Sequence, residues 1–379
     1  MRGVTIERVV VRRIRWRGPR AFESAAGAWD ERESCLLELV DSEGVHGAGE
    51  GAPLPGLSPD TIDSCERALR GALRPGMAIA SGATMVRAAL DALGSTLAST
   101  PAARFAAETA YLDLVSRRAG VPLARMLATT FDLPRPSSSA ALTSVLDGDT
   151  TRWAGALERA LGRGLRCVKA KIGNPDWEHE KSALADLRRR AGDQVELRLD
   201  ANRAWATCSV DELAARLDWC ASLAPRWLEE PVAVSVARSE VLDVLDRSRT
   251  PIALDESLRW PAGDDQIRPL LARGAARALI VKPTIVGGTS RAVELAKMAM
   301  GSGTTSVVSH ALEGPIGFAA LAELALAIGG SDAAGLDRHP MLAAWPTTCT
   351  PHLVENAVLA RAHSGIGVSA RDVLDAAAR

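Results

Sequence analysis

The feature that most constrains the fold is a repeat of short β-prone runs that starts at residue 138. Seven runs follow one another: "AALTSVL", "RCVKAKIG", "VELRLDA", "PRWLEEP", "PIALDES", "ARALIVKP" and "TTSVVSHA". Each run begins roughly 20–30 residues after the previous one, the length that a strand, a loop and a helix occupy. Continuous apolar runs separated by helices indicate parallel strands that are covered on both faces.

This repeat predicts an α/β fold with a (β/α)-barrel of seven or eight strands, the eighth near Gly335. A doubly wound open sheet is the competing topology, because it also alternates strands with helices. The 379 residues suit one large domain and one smaller domain.

The first third of the chain has a different pattern. "VTIERVVVRRIRW" alternates like a strand, and "SCLLELVDSEGVHGAGE" is typical of a second strand closed by a glycine-rich turn. Helical spacing follows at residues 60–74 and 102–118, and "FDLPRPSSS" then marks a boundary. We therefore predict an α+β N-terminal domain at residues 1–133, the barrel with its site at 134–335, and a last barrel element and C-terminal segment at 336–379 that returns towards the N-terminal domain.

Composition excludes several classes of partner. A net charge of −1 with 47% apolar residues gives no reason to expect a nucleic acid or a membrane surface. No apolar stretch approaches the roughly 18 residues of a membrane helix, and no apolar signal segment follows the first arginines. Six scattered cysteines without a CxxC pair predict reduced thiols and a cytoplasmic location. The sequence leaves the oligomeric state open.

The ends of the predicted strands carry the chemical signal, since ligands gather at the C-terminal ends of strands in both topologies. A single charged strand end is usually the start of a solvated loop, and a lone Asp-x-Asn is usually a turn or a helix cap. Five consecutive charged ends in register are hard to obtain from solvation alone. These ends carry Lys169 and Lys171, then Asp200 and Asn202, then Glu229 and Glu230, then Asp255 and Glu256, then Lys282.

Strand geometry predicts that these side chains meet. Residues two apart share a face of a strand, so Lys169 points with Lys171, and Asp200 with Asn202. Carboxylates from neighbouring strands would repel one another in a dry barrel mouth. A hard divalent cation removes this conflict, and all-oxygen ligands favour Mg²⁺.

Two lysines are predicted to flank this metal site, Lys171 on one side and Lys282 on the other. Nearby positive charges lower the pKa of a lysine, so that one of the two becomes able to act as a base near neutral pH.

These motifs resemble those of the enolase superfamily. "KAKIG", "LRLDANRAW", "WLEEP", "ALDES" and "VKP" occur in that superfamily's order, and the resemblance covers most of the chain. Within the superfamily, "LRLDANRAW", "LEEP", "DESL", "KPT" and "GEGAPLPGLSPDT" at residues 49–61 most resemble the o-succinylbenzoate synthase family of the muconate-lactonizing-enzyme subgroup. The resemblance implies a modified TIM barrel with a capping domain and a Mg²⁺ ion, for which Mn²⁺ can substitute.

The resemblance also implies residue roles. Lys171 would remove the proton α to the substrate carboxylate and deliver it to the departing hydroxyl, which makes the loss of water a syn elimination. Lys169 would tune Lys171, and Lys282 would stabilise the ring-bearing intermediate as a cation over its π-system. The three metal ligands would be Asp200, Glu229 and Asp255.

The implied reaction is the Mg²⁺-dependent dehydration of 2-succinyl-6-hydroxy-2,4-cyclohexadiene-1-carboxylate to o-succinylbenzoate, through an enediolate that the metal stabilises, in menaquinone biosynthesis. The partner is therefore a small-molecule carboxylate. One alternative is an N-acylamino acid racemase or dipeptide epimerase, in which Lys171 and Lys282 are both bases. Dipeptide epimerases usually hold the substrate amino group with an acidic Asp-x-Asp near the eighth strand, where this chain has a single Asp337. The other alternative is a non-catalytic barrel that binds a carboxylate metabolite.

Further residues are predicted around the centre. Residues 20–29 and 50–57 would form a lid over the barrel mouth. Asn202 would bond near the metal, Glu230 and Glu256 would lie behind the ligands, and Glu256 would orient a lysine. Backbone amides after Gly314 would hold a substrate carboxylate. Ser309 and His310, at the seventh strand end, would line the pocket.

Overall fold

The computed structural model describes residues 3–24, 27–146, 149–234, 237–259, 261–350 and 353–378, and for residues 20–28 it describes no side chains. The strands are β1 (Ile6–Ser24), β2 (Gly27–Asp41), β3 (His46–Gly51), β4 (Ser139–Ala141), β5 (Thr143–Leu146), β6 (Cys167–Lys171), β7 (Glu196–Asp200), β8 (Trp227–Glu229), β9 (Ile252–Leu254), β10 (Ala278–Val281), β11 (Thr305–Val308) and β12 (Ala357–Leu359). The helices are α1 (Ile62–Ala72), α2 (Ala83–Thr96), α3 (Pro101–Ala119), α4 (Leu123–Phe131), α5 (Trp153–Gly162), α6 (Trp177–Ala191), α7 (Val210–Ala221), α8 (Ser239–Arg247), α9 (Asp264–Ala272), α10 (Pro283–Val286), α11 (Thr289–Gly301), α12 (Pro315–Ile328), α13 (Pro340–Ala343) and α14 (Ala370–Ala377).

Strands β5 to β11 form one parallel sheet, and each strand pairs with the next one along the chain. This sequential order excludes the doubly wound topology, in which the strand order reverses. Two isolated parallel bridges, Leu142 to Ala334 and Ser309 to Gly335, connect the two edges of the sheet. The residues around Gly335 therefore act as a very short eighth strand. The predicted barrel of seven or eight strands is confirmed.

The N-terminal part combines the antiparallel sheet β1–β2–β3 with helices α1 to α4. The predicted helices at residues 60–74 and 102–118 are confirmed as α1 and α3, whereas α2 and α4 were not predicted. The predicted glycine-rich turn is wrong, because "HGAGEG" is strand β3 and the turn lies before it, at residues 42–45. Glycine is needed in β3 for close approach: a Cβ on Gly47 or Gly49 would overlap the backbone of α3.

Substitution of Gly49 by alanine is expected to destabilise the cap, because the new Cβ would overlap the carbonyl oxygen of Ala106. We expect the free energy of unfolding to fall by about 3 kcal/mol, the upper range for overpacking of a core. The matched control is Gly71→Ala near the end of α1, where a Cβ meets nothing within 4 Å. Denaturant unfolding checks both variants, and equal stabilities would contradict the close-packing explanation for β3.

The C-terminal segment lies against the cap. Arg117 of α3 donates a hydrogen bond to the Val368 carbonyl, and the Ile366 amide donates to Asp113 of α3. The structure shows the cysteines as thiols rather than disulfides, as predicted. Among the residues described here, no helix combines the length and the apolar character needed to cross a membrane.

Candidate active site

Strand register brings the predicted charged residues to one end of the barrel. Lys171 on β6 lies beside Asp200 on β7, which lies beside Glu229 on β8. Asp255 directly follows β9, and Lys282 directly follows β10. The charged ends therefore meet because parallel strands of similar length stop at the same edge of the barrel.

Ion pairs link these side chains in two groups. Lys169 Nζ lies 2.9 Å from Asp200 Oδ2 and 2.8 Å from Glu229 Oε2. Burial lowers the pKa of Lys169, but the charges of Asp200 and Glu229 outweigh burial, and the net shift is upward. Lys282 Nζ lies 2.6 Å from Asp255 Oδ2, and this contact likewise raises the pKa of Lys282 against the opposing effect of burial.

Lys171 differs from the other two lysines. Its ammonium forms no hydrogen bond or ion pair with any residue that the structure describes, although it lines the same cavity. Burial lowers the pKa of Lys171, and the charges of Lys169 and Lys282 add to this effect while Asp200 opposes it. The arrangement therefore holds two lysines in ion pairs and leaves the third amine free.

The stretch "DAN" at the end of β7 is both a turn and part of the cluster. The backbone N–H of Asn202 donates to Asp200 Oδ1 at 3.1 Å, which closes an Asx-type turn. Asn202 has φ +42°, in the left-handed region that asparagine tolerates. Its side chain reaches the cavity because of this turn, and strand alternation ends at Asp200. Nδ2 donates to Glu256 Oε1 at 3.1 Å.

Glu230 and Glu256, which directly follow Glu229 and Asp255 in the chain, have different surroundings. Glu230 is fully buried and accepts hydrogen bonds from the amides of Asp255 and Ser257, so it joins the ends of β8 and β9. Burial, and then repulsion from Glu256, raise the pKa of Glu230 to about 7. Glu256 lines the cavity with one oxygen, Oε2, that has no partner among the described residues.

The donor chemistry of the cluster fits a hard divalent cation. Burial raises the pKa of Glu229, and repulsion from Asp200 and Asp255 adds to the rise while Lys169 opposes it. Glu256, whose Oε2 has no partner among the described residues, is close enough to Asp255 and Asp200 to be repelled by them, and oxygen donors are those that Mg²⁺ prefers. In the described ranges, the structure does not bring three or more His, Cys, Asp or Glu side chains close enough together to bind a metal ion. In this cluster, Lys169 lies between the carboxylates of Asp200 and Glu229.

A cavity of about 380 Å³ lies over the cluster. It is lined on the cap side by Leu54 and Leu57, and Leu54 packs with Ile285, Ala311 and Leu312. The predicted lid segment at residues 50–57 therefore covers the barrel mouth. The other predicted lid segment, residues 20–29, belongs to the end of the β1–β2 hairpin, and residues 25–26 and the side chains of residues 20–28 lie outside the described part.

Two histidines line the cavity beside Ser309. His310 Nδ1 accepts from the Leu312 amide at 3.4 Å, and His339 Nδ1 accepts from the Leu342 amide at 3.1 Å. Their rings lie 4.5 Å apart. Burial lowers the pKa of both, that of His339 to about 3, which favours the neutral ring whose Nδ1 can accept these hydrogen bonds. His339 was missed by sequence reasoning because it follows the very short eighth strand, which no apolar run marks.

The predicted carboxylate site at the amides after Gly314 is wrong. These amides are already bonded: Gly314 N donates to Glu50 Oε1 at 2.9 Å and Gly317 N donates to Glu50 Oε2 at 2.8 Å. Glu50, at the end of β3, therefore caps helix α12 and fastens the cap to the barrel. The residue supplies the anion that the helix N-terminus favours.

Comparison with known proteins agrees with this fold. Residues 152–373 match the family described as enolase C-terminal domain-like, and residues 6–128 match the mandelate racemase / muconate lactonizing enzyme N-terminal domain. The chain is 27% identical to an L-Ala-D/L-Glu epimerase of Bacillus subtilis (strain 168) over 304 residues, 80% of each protein. It is 29% identical to an o-succinylbenzoate synthase of Geobacillus stearothermophilus over 323 residues, 83% of this chain and 80% of that protein.

The solved structure of a muconate lactonizing enzyme from Pseudomonas fluorescens, complexed with muconolactone, has the same fold. It superposes with a TM-score of 0.84 at 20% identity and covers 99% of this chain and 100% of that one. The family matches span both the cap and the barrel. The chain therefore belongs to the enolase superfamily, with an N-terminal domain of the mandelate racemase / muconate lactonizing enzyme type.

Proposed function

We propose that this protein is an o-succinylbenzoate synthase that removes water from 2-succinyl-6-hydroxy-2,4-cyclohexadiene-1-carboxylate with the help of Mg²⁺. The observation that carries the proposal is the difference between Lys171 and Lys282. Lys171 has no hydrogen-bond partner among the described residues, whereas Lys282 is held by Asp255 at 2.6 Å. A single free amine suits a syn elimination, in which one base does both proton transfers.

In this proposal Lys171 takes the proton α to the substrate carboxylate and then delivers it to the hydroxyl that leaves. Lys169, paired with Asp200 and Glu229, keeps its charge and lowers the proton affinity of Lys171. Lys282 stays charged beside Asp255 and attracts the π-electrons of the ring. The lid side chains Leu54 and Leu57 exclude water from the reacting carbon.

Asp200, Glu229 and Asp255 would hold the metal ion, with Mg²⁺ as the natural ion and Mn²⁺ as a substitute. Enolase-superfamily sites are known to combine a lysine or histidine base with one or two Mg²⁺ ions. When bound, the ion supplies electrostatic stabilisation to the negative charge that develops on the substrate carboxylate.

Asp337 argues against the dipeptide epimerase alternative. Its carboxylate accepts from both terminal nitrogens of Arg163, at 3.0 and 2.6 Å, and from Ser144 at 3.0 Å. Arg163 already neutralises the charge of this carboxylate, and both of its oxygens already accept hydrogen bonds. Asp337 is therefore poorly suited to hold the amino group of a dipeptide.

The test is turnover of the cyclohexadiene substrate with Mg²⁺, followed by ultraviolet absorbance as the aromatic product forms. We expect rapid, EDTA-sensitive formation of o-succinylbenzoate. In parallel, exchange of the α-proton is measured in D₂O with N-succinylamino acids and with dipeptides.

The outcomes separate the alternatives. Exchange with N-succinylamino acids and no dehydration would replace the synthase by an N-acylamino acid racemase. Exchange with dipeptides alone would point to an epimerase, and no reaction with any of these substrates would favour a carboxylate-binding barrel.

A further inference from the structure

Trp227 contacts one of the carboxylates of the cluster directly. It lies two residues before Glu229 on β8, so both side chains point into the barrel. The indole Nε1 donates a hydrogen bond to Glu229 Oε1 at 3.1 Å, and the ring is fully buried. The other carboxylate oxygen, Oε2, accepts from Lys169. Both oxygens of Glu229 are therefore held from different sides.

Arg198 packs against the face of the indole and is the residue paired with Trp227 in the register of β7 and β8. The guanidinium carbon lies 4.1 Å from the centre of the Trp227 ring, a cation–π contact. Arg198 is 1% exposed, and its Nη1 donates to Thr143 Oγ1 at 3.0 Å and to the Ala333 carbonyl at 2.7 Å. These hydrogen bonds to Thr143 and Ala333 fix the guanidinium inside the barrel, where it packs against the face of the indole.

Glu229 needs such a hold because its neighbours repel it. Asp200 lies beside it in the register of β7 and β8, and Asp255 adds a third negative charge. A free glutamate side chain would rotate away from them, since it has several rotamers. A hydrogen bond from a rigid indole opposes this rotation.

We propose that Trp227 is a positioning residue that orients Glu229 for a divalent cation, with Arg198 holding the indole in place. This inference rests on the metal site of the proposed function. Partners behind metal ligands are known to orient them, and their loss typically weakens metal affinity by about 10–100-fold.

The experiment is isothermal titration calorimetry of Mg²⁺ into the wild-type protein and Trp227→Phe, which keeps an aromatic ring over Arg198 but removes the donor. We expect the dissociation constant to rise on the order of tenfold or more. The matched control is Trp153→Phe, because Trp153 is also buried and its Nε1 has no partner among the described residues. This control should bind Mg²⁺ like the wild-type protein.

A second measurement needs no substitution. In ¹⁵N-tryptophan-labelled wild-type protein, the indole N–H signal of Trp227 should shift during Mg²⁺ titration, while that of Trp153 stays in place. Mg²⁺ binding without a shift of the Trp227 signal, or with equal affinity in Trp227→Phe, would overturn the inference and leave the metal site standing. No Mg²⁺ binding by the wild-type protein would overturn the metal site and the inference together.

Discussion

Lys171→Ala is expected to lower turnover of the cyclohexadiene substrate on the order of 10³-fold, the middle of the range for loss of a general base. The reason is geometric. Lys171 is the amine in this cavity for which the described residues supply no partner, whereas Lys169 and Lys282 already hold carboxylates. Ultraviolet absorbance under saturating Mg²⁺ measures the rate.

The Mg²⁺ affinity of Lys171→Ala shows whether the substitution removes only the base or also damages the metal site. Lys171 makes no contact with the carboxylates within hydrogen-bond distance, so Mg²⁺ affinity in Lys171→Ala should stay close to that of the wild-type protein. Lys181→Ala is the control, since Lys181 pairs with Glu178 at 2.7 Å on the surface of α6. Undiminished turnover in Lys171→Ala would remove Lys171 from the mechanism, and full activity of Lys181→Ala is required for the comparison.

The same variant also tests which amine acts as the base. In a syn elimination, Lys171→Ala should abolish exchange of the substrate α-proton with D₂O. If the protein is a racemase, Lys282 would still exchange the α-proton of an N-succinylamino acid from the opposite face. One enantiomer of that substrate would then keep exchanging in Lys171→Ala. Residual exchange in a single enantiomer would therefore favour the racemase alternative.

The sequence predicted the barrel and its charged mouth because both depend on local rules. Apolar runs of regular spacing define the strands, and the parallel arrangement then brings strand ends such as Asp200 and Glu229 together. Trp227 could have been found by the same rule, since it lies two residues before Glu229. Its hydrogen bond to that residue follows from alternation along β8.

The contacts that the sequence did not reveal join distant segments. Glu50 and Gly314 are 264 residues apart along the chain, and nothing near either residue indicates that the carboxylate caps α12. The glycines of β3 were misread for a similar reason. Gly47 and Gly49 are typical of a turn until the backbone of α3 is known to lie against them. Such contacts depend on tertiary packing, which no local pattern encodes.

Replacement of Asp200 by asparagine is expected to abolish both metal binding and turnover. Asp200 is 2% exposed and supplies an oxygen at the centre of the cluster, between Lys171 on β6 and Glu229 on β8. Asparagine keeps the shape and the Asx-type turn to the Asn202 amide, because its Oδ1 still accepts that hydrogen bond. It removes one negative charge, on which the affinity for a hard divalent cation depends.

Thermal unfolding with and without Mg²⁺ measures this effect independently of catalysis. An ion present at 100 times its dissociation constant stabilises the folded protein by about 2.7 kcal/mol, which raises Tm by about 3 °C for a chain of this size. We expect this rise in the wild-type protein and in the exposed control Asp193→Asn, and no rise in Asp200→Asn at the same Mg²⁺ concentration. EDTA should cancel the rise in the first two proteins.

This comparison distinguishes a metal ligand from a residue that only holds Lys169. If Asp200 served only as the ion-pair partner of Lys169, Asp200→Asn would lower turnover but keep the Mg²⁺-dependent rise in Tm. That outcome would place the ion elsewhere and contradict the predicted ligand set. Loss of the rise together with loss of turnover, in a protein whose Tm without Mg²⁺ is close to wild type, is the result that the crowded carboxylates at the ends of β7, β8 and β9 lead us to expect.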